Sequence, residues 1–218
     1  MVKILGICGS PKKRSNTLIL LGEALEAARE KGAETDVIRL IEKDIKPCND
    51  DHICEKKKIC PIKDDFLEVF DKMVKADGLL FGSPVYCGGV TPWIKSLIDR
   101  ATYYNSWVCD RDIFTGKVGA AIVVGGSYGF APALYQIYHF ILGARMILPG
   151  ITGPCYGIGT EPGDVLKEPQ TSYGYNGVMR ARELGRVMTY LAKLLKENPI
   201  DRSIYHTVGR PKGHDIPY

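Results

Sequence analysis

Three cysteines recur at intervals of six, Cys48, Cys54 and Cys60. They lie inside the run Pro47-Cys48-Asn49-Asp50-Asp51-His52-Ile53-Cys54-Glu55-Lys56-Lys57-Lys58-Ile59-Cys60-Pro61. Thiolates are soft donors that hold soft or borderline metals. Zinc bound by the three thiolates with His52 or Asp51 is one reading, although His52 follows Asp51 directly and lacks the usual zinc-ligand spacing. A surface insertion of unligated thiols is another.

A second chemistry belongs to three loops rich in glycine and hydroxyl residues. The first is Gly9-Ser10-Pro11-Lys12-Lys13-Arg14-Ser15-Asn16-Thr17, between an apolar run and a helical segment. The amides of a helix N-terminus attract anions, and the hydroxyls of Ser10, Ser15 and Thr17 add donors. That suits a phosphate monoester. The loop lacks the Gly-Lys-Ser/Thr of a Walker loop and the Gly-x-Gly-x-x-Gly of a Rossmann fingerprint, which disfavours dinucleotide binding of that type. A capped turn with solvated Lys12 and Lys13 is the plain alternative. The second loop, Ser83-Pro84-Val85-Tyr86-Cys87-Gly88-Gly89-Val90-Thr91-Pro92, and the third, Gly125-Gly126-Ser127-Tyr128-Gly129, can bring bare backbone against a flat ring from two sides. For Tyr86 and Tyr128 taken singly, ordinary loop packing is the simpler reading.

Loops of this kind need strands to end on and helices to begin. Val2 to Ile7 reads as a buried strand, with Asn16 or Thr17 capping a helix from Leu18 to about Lys31. Thr35 to Leu40 is a second strand. Asp64 or Asp65 starts a helix to Lys75, and Gly78 to Phe81 is a third strand. Thr91-Pro92 opens a helix to about Tyr103, with proline in its first position. Val118 to Val124 is a fourth strand, Pro132 to Leu142 a helix, Arg145 to Leu148 a short fifth strand, and Gly177 to Lys196 the last helix. Alternating strands and helices imply a parallel sheet, whose ligands sit beyond the carboxyl ends of the strands. The three loops therefore belong together.

The bulk composition agrees. With 218 residues, 45% hydrophobic and 25% charged, the chain can build one substantial α/β core. We expect a single domain over 1–218, with a cysteine-bearing insertion at about 43–63. A net charge of +4, spread along the chain, gives no nucleic-acid footprint. No run approaches the ~20 apolar residues of a membrane span, and no export signal is visible. The seven cysteines thus read as cytoplasmic thiols or ligands rather than disulfides. Cys8 reads as core, Cys87 as packing, and Cys109 and Cys155 have no evident partner.

Together the loops resemble the NADPH-dependent FMN reductase branch of the flavodoxin-like superfamily. The matching residues are Gly9-Ser10-Pro11 with Ser15-Asn16-Thr17, Gly82-Ser83-Pro84-Val85-Tyr86, Trp93-Ile94-Lys95-Ser96-Leu97-Ile98-Asp99-Arg100, and Gly125-Gly126-Ser127. The resemblance implies a doubly wound, five-stranded parallel sheet of order 2-1-3-4-5 with helices on both faces. It implies FMN, with its phosphate at Ser10, Lys12, Ser15, Asn16 and Thr17, and its ring near Pro84, Val85, Tyr86, Gly88, Gly125, Gly126 and Ser127. Asp99 and Arg100 read as structural or interface residues, and the flavin itself carries the chemistry, without a catalytic side chain.

Within that branch the cysteine run resembles the iron–sulfur flavoproteins, whose four clustered cysteines precede a similar Asp64-Asp65 pair. Cys48, Cys54 and Cys60 match the first, third and fourth cysteines, and Asp51 stands in place of the second. The implied cofactor is a 4Fe–4S or 3Fe–4S cluster, with Asp51 a harder and weaker ligand than a thiolate. The function this implies is an FMN-dependent oxidoreductase. It would take electrons from NAD(P)H or a ferredoxin-like donor and pass them to a quinone, an oxygen species or another small acceptor. A flavodoxin-type carrier without its own substrate, or a non-enzymatic flavin module, are the alternatives. Trp93, Tyr103, Tyr104 and Trp107 near one helix suggest a homodimer or homotetramer. No nucleic-acid or membrane partner is expected.

Overall fold

The computed structural model describes residues 1–109, 112–167 and 176–205. Its elements are β1 (Val2–Cys8), α1 (Asn16–Glu30), β2 (Ala33–Arg39), α2 (Ile53–Lys57), α3 (Phe66–Lys75), β3 (Gly78–Pro84), α4 (Pro92–Trp107), β4 (Val118–Gly125), α5 (Phe130–Gly143), β5 (Tyr156–Ile158) and α6 (Gly177–Glu197). The strands pair in parallel in the order β2-β1-β3-β4-β5, which is the flavodoxin-like fold. Among the described residues no helix is long and apolar enough to cross a membrane.

The central strands read as unbroken apolar runs because both of their faces are covered. Leu5 and Ile7 of β1, Leu79 and Phe81 of β3, and Ala121 and Val123 of β4 face the layer of α3, α4 and α5. Val2, Ile4, Leu80, Ala120, Ile122 and Val124 face the layer of α1 and α6. There the two helices pack so closely that a Cβ added at Gly185 would lie 1.9 Å from the Ala24 carbonyl oxygen. Only glycine fits at that crossing.

Three details differ from the sequence expectation. The fifth strand is Tyr156–Ile158, paired with Val123–Gly125, and not Arg145–Leu148. Ile147 makes a single parallel bridge to Val118; Arg145 takes a left-handed turn, and Pro149-Gly150 stops the run. The cap of α1 is Ser15, whose extended backbone lets its Oγ accept the Leu18 amide at 3.1 Å; Asn16 and Thr17 are already helical. Within the aperiodic 43–63 stretch lies the short helix α2.

Candidate functional site

A cleft opens where β1, β3, β4 and β5 end. Its walls are Ser10, Lys12, Ser15, Asn16, Thr17, Pro84, Val85, Tyr86, Val124, Gly125, Gly126, Gly159, Thr160 and Pro162. Ten of the twelve residues expected to bind a cofactor are here. Backbone bonds knit the loops: Gly9 N donates to Gly82 O at 2.8 Å, Val85 N to Val124 O at 2.7 Å, and Gly159 N to Gly125 O at 3.0 Å. The buried Thr91 adds a side-chain tie, its hydroxyl donating to Gly9 O at 2.9 Å.

Gly88 and Ser127 are outside this wall. Tyr86 and Gly89 exchange two backbone bonds of 2.9 Å around Cys87 and Gly88, both at positive φ. Gly88 therefore makes a tight reversal that lifts Tyr86 to the cleft mouth. It also lets loops two and three touch, since a Cβ on Gly129 would meet Gly88 Cα and Val85 Cγ1 at 2.8 Å each. Ser127 is exposed beside Gly126.

Electrostatically the cleft floor suits an anion. The first-turn amides of α1 have no carbonyl a turn earlier to accept them, and that turn holds no acidic residue. Ser10, Ser15 and Thr17 are buried and line the cleft. Asn16 has a different task. Its Oδ1 accepts from Gly163 N at 2.7 Å and its Nδ2 donates to Glu161 O at 2.8 Å, clamping the loop after β5 over the cleft. Gly159, Thr160 and Pro162 of that loop escaped the sequence reading because β5 had been placed elsewhere.

The cysteine loop is held at its base by the Asp64-Asp65 pair. Asp65 accepts the Asp44 amide at 2.9 Å, and Asp64 accepts the Lys46 amide at 2.9 Å. Asp64 and Arg100 form a buried ion pair through Asp64 Oδ2 and Arg100 Nη1. Arg100 Nη1 also donates to Lys46 O at 3.1 Å, Nη2 donates to Cys60 Sγ at 3.2 Å, and its guanidinium stacks 4.2 Å from the Phe66 ring centre. Arg100 is thus neither exposed nor at the cleft: it ties α4 to a cysteine sulfur.

Cys54 is buried, Cys60 half-buried and Cys48 exposed. Burial, then the charges of Cys60 and Cys48, push the Cys54 thiol above its ordinary value. Asp51 is exposed, and its Oδ1 accepts the Ile53 amide at 3.0 Å, starting α2. Among the described residues no three His, Cys, Asp or Glu side chains converge as ligands of one ion. A polynuclear cluster makes a different demand, one thiolate for each iron around a cube. Cys48, Cys54 and Cys60 are soft donors on one short loop, with the Arg100 guanidinium on the Cys60 sulfur.

Residues 2–152 match the model of the NADPH-dependent FMN reductase family. An iron-sulfur flavoprotein of Methanocaldococcus jannaschii is 37% identical over 203 residues, covering 90% of this chain and 100% of that protein. One from Archaeoglobus fulgidus is 41% identical over 141 residues, covering 64% of this chain and 71% of that one. Among solved structures, RosB with bound 8-demethyl-8-formylriboflavin-5'-phosphate superposes with a TM-score of 0.73 at 18% identity, covering 100% of this chain and 95% of that one.

Proposed function

The chain belongs to the NADPH-dependent FMN reductase family, and we propose that it binds one FMN in the cleft and works as an oxidoreductase. Electrons would come from a nicotinamide nucleotide or a ferredoxin-like donor and leave to a quinone, an oxygen species or another small acceptor. The observation that carries the reading is the meeting of an anion-receptive α1 N-terminus with two glycine loops in one cleft. Ser10, Ser15 and Thr17 would bind the phosphate. Val85, Tyr86, Gly125 and Gly126 would orient the ring and limit its contact with water, and Asn16 would hold the Glu161–Gly163 turn over both. FMN, when bound, supplies hydride and single-electron transfer at its ring.

We read the cysteine loop as the seat of an iron–sulfur cluster with Cys48, Cys54 and Cys60 as ligands, which supplies one-electron steps. α4 joins the two sites. It begins at Thr91 beside the cleft and reaches Cys60 through Arg100, about 13 Å further along its axis at 1.5 Å per residue. Exposed Tyr128, Tyr135 and Leu142 around α5 support assembly as a homodimer or homotetramer.

Anaerobically purified protein tests the reading through its absorbance spectrum, chromatography of the acid-released flavin, and steady-state oxidation of NADPH or NADH with a quinone acceptor. FMN with turnover is expected. Protein that carries no flavin and takes up no added FMN overturns it. FMN reduced only by a protein donor, with no small-molecule turnover, assigns a carrier instead.

A further inference from the structure

Thr91 sits in the N-cap position of α4, yet its side chain makes no cap bond. A threonine there ordinarily turns its hydroxyl to a first-turn amide of its own helix. Here Oγ1 donates to Gly9 O at 2.9 Å instead, across to the loop that follows β1. Gly9 N meanwhile donates to Gly82 O at 2.8 Å. Gly9 is therefore gripped on both sides, by the residues that flank the second glycine loop. There is no slack at this point: a Cβ on Gly9 would lie 2.3 Å from Ile94 Cγ1 and 2.9 Å from Thr91 Oγ1. Ser10, next in the chain, is on the cleft wall.

The second loop is bonded along its length. Ser83 Oγ accepts the Thr91 amide at 3.1 Å and donates to Pro84 O at 2.8 Å, which closes the loop at its base. Ser83 and Thr91 are both buried. Val85 N donates to Val124 O, Tyr86 and Gly89 exchange two bonds, and Val90 N donates to Gln136 Oε1 at 3.3 Å. A segment held at so many points shifts as one piece with its base. That base is Thr91, whose hydroxyl rests on the first loop.

Resting on the FMN reading above, we infer that Thr91 is a positioning residue that couples the two halves of the cleft. An anion settling against Ser10, Ser15 and Thr17 draws the Gly9–Ser10 peptide to one position. Thr91 Oγ1 follows Gly9 O, and the loop carrying Val85 and Tyr86 follows Thr91. Occupation of the anion half then prepares the ring half, and by linkage the ring does the same for the anion. A merely structural Thr91 would support both halves alike and leave them independent of each other.

The test separates the two halves of the ligand. Lumiflavin supplies the ring alone and inorganic phosphate the anion alone. Full-length protein freed of flavin is titrated with lumiflavin, read by fluorescence quenching, with and without saturating phosphate at matched ionic strength. In the parent, phosphate should lower the lumiflavin Kd at least about fivefold. In Thr91→Val, which keeps the branched shape and loses the donor, that ratio should fall to near one. Thr91→Ser, which keeps the hydroxyl, should restore it. Equal Kd values with and without phosphate in the parent overturn the inference and leave the FMN reading standing, as does an undiminished ratio in Thr91→Val. A parent that binds no FMN overturns both. Hydrogen–deuterium exchange answers without variants, should Thr91→Val fold poorly. Phosphate alone is expected to slow exchange across 83–91 as well as across 9–18; protection confined to 9–18 overturns the inference.

Discussion

Asn16 and Gly163, 147 residues apart, are joined by a 2.7 Å hydrogen bond from the Gly163 amide to Asn16 Oδ1. The same side chain donates to Glu161 O, so both polar ends of one amide are used to hold one turn. Replacing Asn16 with Ala should release the turn and weaken FMN indirectly. Leaving two partly buried backbone groups unpaired costs about 1–3 kcal/mol, or roughly a 5- to 150-fold rise in Kd. Quenching of flavin fluorescence on titration reads this directly, and an unchanged Kd would show that the turn does not cover the ligand.

Thr17 tests the phosphate end separately. It is buried at the cleft floor, and Thr17→Val keeps its shape while removing the hydroxyl donor. A hydrogen bond to a charged group is worth about 1.5–3 kcal/mol, so FMN should bind tenfold or more weakly. Riboflavin, which has the ring and no phosphate, should bind parent and variant alike. Equal losses for both ligands would mean that Thr17 supports the cleft wall and does not touch phosphate. Thr17→Glu should weaken FMN further by like-charge repulsion.

Much of this site could be read along the chain because its signals are local. A strand ending in Gly9-Ser10-Pro11, another ending in Gly82-Ser83-Pro84 and a helix opening at Thr91-Pro92 each declare themselves within a few residues. What stayed hidden depends on partners far away. β5 has only three residues, and its place is set by the open edge that Val123–Gly125 offers. Missing it also hid Gly159, Thr160 and Pro162. Arg100 sits in a helical pattern that fits a surface or interface position equally well, and only the folded chain shows its guanidinium on Cys60 and Asp64.

The Arg100–Asp64 pair should dominate the stability of the cysteine loop. Both side chains are buried, so removing one leaves an uncompensated charge. Arg100→Met should lower the unfolding free energy by about 3–5 kcal/mol. Adding Asp64→Asn to that variant should recover part of the loss, because the stranded carboxylate is then neutral. Denaturant melts of the two single variants and the double variant give the coupling. Additive losses would show that the pair is not the unit assumed here.

Asp164 ties the cover of the cleft to pH. Its carboxylate accepts from Lys167 Nζ at 2.6 Å, Glu161 N at 2.8 Å and Thr160 N at 3.0 Å. These bonds, led by the lysine, bring its pKa down to about 2. The folded value lies below the unfolded one, so the carboxylate stabilises the turn fully above about pH 4 and ceases to as pH falls through about 2. The exposed lysine adds little energy of its own; the two amides of the turn give the effect its structural consequence. Asp164→Asn keeps an oxygen for one amide but loses the charge, so it should bind FMN more weakly at neutral pH. The phosphate of FMN also titrates, but equally for both proteins, and cancels in their ratio. The ratio of Kd values should therefore hold steady from pH 7 to about 4 and close towards one below that. Equilibrium dialysis of both proteins across the range measures it. A ratio that instead changes between pH 7 and 5 would assign the effect to another group.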